Sequence, residues 1–334
     1  MKKELSIYQA VSDCKIMKKE INILFLGGAK RVSLAEHFIS YGKEIGFEIN
    51  IFSYELDIKV PISLVGKAIV GLKWKDPNLY QDLGSVIKEN KINIVLPFVD
   101  SAVEVASKMR ALYPDVFIPC SDVKSCKTMF DKKLASEWFY HSGIEQPRTY
   151  KNGEVCTFPV ILKPREGSAS KGIQVIDNLE GYEKVRDIDN YLIQEYIADN
   201  TEFTVDCYVS SAGHIFSIVP RVRLETAGGE VVRSQTVRDE TLITLSEKIL
   251  STGFFRGPVT IQFIKDNRTG KVYVMEINPR LGGGVIASIG AGSGMLSFII
   301  GEYLRNELKP VLTWKEGVLM TRYFKEVIFY ADNH

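Results

Sequence analysis

Near the end of the chain, Glu276 and Asn278 stand two residues apart in VYVMEINPR. In an extended strand that spacing puts both side chains on one face, with Met275 and Ile277 turned the other way into a core. The longer segment VTIQFIKDNRTGKVYVMEINPR, residues 259–280, reads as a hairpin in which two apolar strands flank the turn Asp266–Gly270. Gln262 then lies roughly opposite Glu276. One carboxylate and two amide oxygens suit one or two hard cations; magnesium takes few protein ligands and fills its shell with water and phosphate oxygens. By itself Glu-x-Asn also describes an ordinary exposed hairpin face. The continuation, Pro279-Arg280-Leu281-Gly282-Gly283-Gly284, is less ordinary. An arginine and three glycines after such a strand fit the approach of an anionic substrate.

A second stretch with chemistry in it is VILKPREGSASKG, residues 160–172. Val160 to Leu162 read as a buried strand, and Lys163 at its end is out of place in a core. The run Gly167-Ser168-Ala169-Ser170-Lys171-Gly172 has little side chain to pack. It leaves backbone N–H groups free to face an anion, as glycine-rich phosphate loops do. A plain flexible hairpin with Lys163 reaching solvent is the alternative for this stretch alone.

The elements that must position these residues fall into two kinds. Strand-like runs at Ile21–Leu26, Glu48–Ser53 and Ile92–Leu96 alternate with helical patterns from Val32, from Asp76-Pro77 to about Glu89, and from Ser101 to Leu112 with Asp100 as a cap. That alternation predicts a parallel sheet with helices on its faces, a Rossmann-like domain over residues 18–120. Its glycine turn, GGAKR, lacks the G-x-G-x-x-G spacing and reads as a tight strand-to-helix turn. A substrate could still bind at the carboxyl ends of these strands. A helical stretch from Phe130 to Ser142 follows. Beyond it the pattern becomes antiparallel: strands at Pro159–Lys163, Ile173–Ile176, Tyr191–Tyr196, Phe203–Val209, Ile215–Val222 and Glu230–Val237, with helices near 179–187 and 239–251. Arg221, Arg223 and Arg233, on neighbouring hairpin strands, face either an anionic substrate or the surface.

Taken in order, these motifs resemble the ATP-grasp superfamily, and most nearly single-module proteins similar to one half of the carbamoyl-phosphate synthase large subunit. FDKK (130–133) resembles the segment with the family's first nucleotide lysine, and VILKPREGSASKGI its second lysine and mobile glycine-rich lid. QEYIADNTEFTVD (194–206) resembles the adenine-holding hinge and the ribose-binding glutamate, and IQF…MEINPR the metal site. The resemblance covers nearly all of the chain after residue 18. It implies an α/β Rossmann-like (pre-ATP-grasp) domain followed by an α+β ATP-grasp fold of two subdomains, a lid subdomain over 121–195 and a C-terminal subdomain over 196–334. Residues 1–17 form an extension, in which MKKE at 1–4 recurs at 17–20.

The resemblance also implies roles. Lys132 and Lys163 contact nucleotide phosphates, and the backbone of Gly167, Ser168, Ser170 and Gly172 closes over them. Glu195 with Tyr196, Ile197 and Ala198 reads adenine, and Glu202 holds ribose. Gln262, Glu276 and Asn278 coordinate two Mg²⁺ ions, with Mn²⁺ able to substitute, and Arg280 steadies the transferred phosphoryl group. The expected activity is that of an ATP-dependent ligase. It activates a carboxylate (or bicarbonate) as an acyl-phosphate for attack by an amine or similar nucleophile. A synthase-like subunit needing a partner chain and a non-catalytic nucleotide-binding regulator are the alternatives. The intact lysines, metal-site residues and Arg280 count against the second.

Bulk properties agree with a small-molecule enzyme. In 334 residues the net charge is +1, so no global field steers the chain to nucleic acid or an anionic membrane. Small-molecule acid and amine partners are expected, and a homodimer is left open. The five cysteines (Cys14, Cys120, Cys126, Cys156, Cys207) form no Cys-x-x-Cys pair, and there are four histidines, which argues against a disulfide framework or a zinc site. With no apolar leader at the N-terminus, a reduced, cytoplasmic setting is expected.

Overall fold

The structure, a computed structural model, describes residues 19–154, 156–167 and 171–330. The extension at 1–17, Cys14, Ser168 and Ser170 therefore lie outside the described residues.

Four parallel strands, β1 (Lys19–Leu26), β2 (Phe47–Glu55), β3 (Lys67–Val70) and β4 (Ile94–Pro97), stand in the order β3-β2-β1-β4. Helix α1 (Val32–Glu44) joins β1 to β2, α2 (Leu79–Glu89) joins β3 to β4, and α3 (Asp100–Leu112) follows β4. β1 is buried continuously from Ile21 to Leu26 because both faces of the sheet are covered. Its alternate residues enter two cores. Ile21, Ile23 and Phe25 pack with Leu34, Phe38 and Ile51, while Leu24 and Leu26 pack with Leu83, Val95 and Met109. Two expectations shift here. The second helix starts at Leu79 rather than at Asp76-Pro77, and Asp100 is the first residue of α3 and makes no cap, Val99 being the cap residue.

The single helical stretch expected at Phe130–Ser142 is two helices, α4 (Val123–Phe130) and α5 (Lys132–His141). Asp131 breaks the run: it is extended, and its carboxylate accepts the N–H groups of Lys133 and Leu134 to start α5 afresh. A small antiparallel sheet follows. It contains β5 (Thr149–Tyr150), β6 (Val160–Pro164), β7 (Gln174–Ile176) and β8 (Tyr191–Glu195) in the order β5-β8-β6-β7, with α6 (Leu179–Glu183) beside it.

The largest sheet has six antiparallel strands: β9 (Asn200–Val209), β10 (Ile215–Ala227), β11 (Glu230–Thr236), β12 (Gly257–Asp266), β13 (Val272–Asn278) and β14 (Leu319–Thr321), ordered β13-β12-β9-β10-β11-β14. Period-two alternation sorts its faces. Phe203, Val205, Cys207 and Val209 of β9 join Ile261, Phe263 and Ile277 in a core shared with α5 and α7 (Glu240–Leu250). The opposite face presents Thr204, Asp206, Thr260 and Gln262. Helices α8 (Val285–Gly290) and α9 (Met295–Tyr303) carry Val285, Met295 and Phe298 onto the first sheet's core, where Tyr208 and Phe216 also pack. The first sheet and the large sheet therefore share apolar packing, and a cleft opens beside that contact. No helix among the described residues is long and apolar enough to cross a membrane.

Candidate active site

The cleft has a volume of about 540 Å³, within the usual range for small-molecule sites, and its floor is the polar face of the large sheet. Gln262 pairs with Glu276 across β12 and β13, and Thr260 with Asn278 one step further along. Gln262, Glu276 and Asn278 all line the cleft. Met275 departs from the expectation. The register runs Gln262–Glu276, then Phe263–Val274, so Met275 is the extra residue of a bulge. The bulge turns Met275 out of the core to line the cleft, its Sδ 3.8 Å from Lys163 Nζ, and Val274 takes its place in the core beside Ile277.

Lys163, at 5% exposure, is fixed by the small sheet: its Nζ donates to Gln194 Oε1 at 2.9 Å. Desolvation draws its pKa down to about 8; Glu276 and Glu202 oppose that fall, and Lys132 adds to it. Lys132 opens α5, and its Nζ donates to the carbonyl of Gly167 at 2.8 Å, joining the helix to the glycine-rich segment. Asp131 binds Arg165 on the same segment, and the Lys132 N–H donates to the Arg165 carbonyl at 2.9 Å. Gly167 and Gly172 both have positive φ, which glycine adopts without strain.

Glu202 lines the cleft and lies 2.9 Å from Arg223 Nε. Of the expected hinge, Tyr196 lines the cleft, while Glu195 and Ile197 are not among the lining residues. The Glu195 carboxylate accepts the Arg148 N–H at 2.9 Å, and the Ile197 carbonyl accepts from Asn200 Nδ2 at 2.7 Å. Arg280 lines the cleft and pairs with Asp100 at 2.8 Å; its Nη2 also reaches Asn278 Oδ1 at 3.4 Å. Asp100 thus orients the arginine from the first sheet.

The donor set fits a hard cation delivered with a phosphate ligand. Among the described residues the Glu276 carboxylate accepts no hydrogen bond and forms no ion pair, so it is free for a cation. Two neutral amides and one carboxylate are few ligands, and no cluster of three His, Cys, Asp or Glu suited to a metal occurs among the described residues. Phosphate oxygens and water would have to complete the shell, as magnesium accepts. Two buried polar atoms on the cleft wall, Thr204 Oγ1 and Arg221 Nη1, have no hydrogen-bond partner, which marks a surface built for a polar ligand.

Sequence reasoning missed Arg31, Asp100 and Thr204 as lining residues and left Arg221 and Arg223 undecided. Both of these arginines line the cleft, whereas Arg233 is exposed. Arg31 had a signal in the sequence, since GGAKR follows β1 at the carboxyl edge of a parallel sheet.

Comparison with known proteins agrees with this architecture. Residues 187–325 match the model of a family described as ATP-grasp in the biosynthetic pathway with Ter operon. D-alanine–D-alanine ligase of Fusobacterium nucleatum is 26% identical over 171 residues, which span 47% of this chain and 58% of that protein. The match thus covers less than two thirds of that relative. Biotin carboxylase of Campylobacter jejuni superposes with a TM-score of 0.69 at 17% identity, over 88% of this chain and 73% of that one. N5-carboxyaminoimidazole synthetase of Staphylococcus aureus, in complex with ADP, gives 0.69 at 17% identity over 90% and 81%. The fold is ATP-grasp: a Rossmann-like domain ahead of two antiparallel sheets that enclose a cleft.

Proposed function

We propose that this chain is an ATP- and magnesium-dependent ligase that activates a carboxylate as an acyl-phosphate and passes the acyl group to an amine or similar nucleophile. One observation carries the reading. Segments far apart in sequence bring Lys132, Lys163, Glu202, Gln262, Glu276, Asn278 and Arg280 to the wall of one cleft. In this reading Lys132 and Lys163 neutralise phosphate oxygens. Glu202 accepts ribose hydroxyls, and Tyr196 lies against the base. Gln262, Glu276 and Asn278 hold magnesium, which when bound offsets charge on the transferring phosphoryl group. Arg280, held by Asp100, forks onto oxygens of that group or of the acyl-phosphate.

The chemistry balances in two displacements. A carboxylate oxygen bonds to the γ-phosphorus of ATP as the bond to ADP breaks. The amine nitrogen then bonds to the acyl carbon, phosphate leaves, and the amine proton passes to solvent. Such steps need mainly positioning and charge neutralisation, which these side chains supply. The test is release of ADP and phosphate in a mixed pool of acids and amines, with each class omitted in turn. Release that requires both classes is the expected result. Nucleotide binding without release under any mixture would leave a regulator instead.

A further inference from the structure

Beside the cleft lies a second cavity, also about 540 Å³, at the carboxyl ends of β1, β2 and β3. Leu56, Val60, Leu72 and Trp74 give it an apolar wall, and Arg31 and Val99 belong both to it and to the cleft. Open α/β sheets take ligands at this edge. A dinucleotide phosphate would meet the Glu55 carboxylate here, which accepts the Ser53 hydroxyl at 2.6 Å and whose burial-raised pKa is drawn back by that hydroxyl and by the backbone of Ala29 and Gly28. The turn is occupied by the protein's own carboxylate.

The wall between the two cavities is cationic and undersupplied with partners. The Arg31 guanidinium lies 5.8 Å from the centre of the Phe98 ring, and no described carboxylate is within ion-pair distance of it. Desolvation draws its pKa down to about 10; Glu230 counters this, while Arg280 and Arg322 add to it. Glu230 itself is bound to Arg322 at 2.5 Å. Arg221 is 1% exposed and lines the cleft; its Nε is bound to Asp206 at 2.9 Å, and its Nη1 is buried against Gly284 without a hydrogen-bond partner. Gly283 and Gly284 admit both groups. A Cβ on Gly283 would lie 3.4 Å from Arg31 Nη1, and one on Gly284 only 2.6 Å from Arg221 Nη1. Three guanidinium groups thus flank one glycine pair beside an apolar cavity: Arg322 donates to the Gly283 carbonyl, while Arg31 and Arg221 Nη1 have donors to spare.

We infer that this junction selects the acid substrate: its carboxylate rests on Arg31 and Arg221 at Gly283–Gly284, and its body is an apolar group seated against Trp74, Leu56 and Leu72. The substrate is then a carboxylic acid with an aromatic or branched apolar body, and not bicarbonate. This rests on the ligase reading only for the fate of the carboxylate; the binding itself is separable.

Calorimetric titration tests it, using acetate, isovalerate and 3-phenylpropionate with a non-hydrolysable ATP analogue and magnesium present. Affinity should rise along that series, with 3-phenylpropionate about tenfold or more tighter than acetate from burial of its ring. 3-Phenylpropanol, which lacks the carboxylate, should bind far more weakly. Trp74→Ala should remove the gain but keep acetate-level binding, and Arg31→Gln should weaken all three acids. Leu56 is 66% exposed, so Leu56→Asp keeps the fold while placing a charge at the cavity and should repel 3-phenylpropionate selectively. Equal affinity for acetate and 3-phenylpropionate, or discrimination untouched by Trp74→Ala and Leu56→Asp, overturns the inference. Binding of the ATP analogue is measured separately in the same experiment. If the analogue fails to bind while the acids are still discriminated, the ligase reading falls and this site stands.

Discussion

Arg280 pairs with Asp100 at 2.8 Å, so both a structural and a chemical role are open to it, and the two separate on measurement. Arg280→Lys loses the planar fork but keeps a charge for Asp100. Stability should fall by about 1 kcal/mol or less, as for a partly exposed ion pair, while turnover drops roughly a hundredfold or more through lost transition-state contacts. A stable, fully active variant would remove Arg280 from the chemistry. Glu276→Gln should behave more simply. Its carboxylate carries no hydrogen bond from a described residue but offsets the desolvation of buried Lys163, so stability should fall by about 1 kcal/mol or less, with turnover reduced roughly a hundredfold or more at ordinary magnesium. Full rate would place the metal elsewhere. Lys163 yields a pH prediction. Its folded pKa of about 8 lies below the ordinary 10.5, so between those values the unfolded chain binds more protons. Stability of the ligand-free protein should therefore rise with pH across that window. Lys163→Met should lose this component, read as the difference between the two proteins in denaturant titrations at pH 8 and pH 10. Parallel pH profiles would refute it.

At the scale of elements, the hairpin β12–β13 was legible because alternation and the Asp266–Gly270 turn are local signals. The pairing of Gln262 with Glu276 follows from them. The bulge at Met275 was not legible, since nothing in VMEIN distinguishes an inserted residue from a regular one until Lys163 approaches from another sheet. The same holds for Asp100 and Arg280, which meet across 180 positions, and for Arg31 beside Gly283: loop closure, not local propensity, brings them together. The break between α4 and α5 was available in principle, since an aspartate immediately before a helix-forming run is a cap signal. Asp131 also ties α5 to the glycine-rich segment through Arg165, which gives a prediction for the element as a unit. Asp131→Ala should cost about 1 kcal/mol of stability from the lost cap and raise the KM for ATP. Asp131→Asn, a good cap without the charge, should keep the stability and still raise KM. If KM followed stability in both variants, Asp131 would be a cap and nothing more.

Across the whole molecule, three parts of the chain wall the cleft: the first domain supplies Arg31 and Asp100, the small sheet Lys163, and the large sheet Glu202, Gln262, Glu276 and Asn278. A nucleotide lying there would bridge the small and large sheets, whose principal polar residues point at the gap rather than at each other. Unfolding the chain disperses that constellation entirely, so in the ligase reading ATP with magnesium binds the folded state alone and stabilises it by mass action. At a ligand concentration a hundredfold above the dissociation constant the gain is about 2.7 kcal/mol. Thermal melting with ATP and magnesium together, with each alone, and with AMP, reads this out. The expected order is largest with both, smaller with ATP alone, and least with AMP, because the ligase reading sets the lysines and the metal residues against the distal phosphates. Glu276→Gln should erase the difference that magnesium makes while leaving the part due to nucleotide. A melting temperature unmoved by any nucleotide at millimolar concentration would mean the cleft does not receive one, and the ligase reading would go with it.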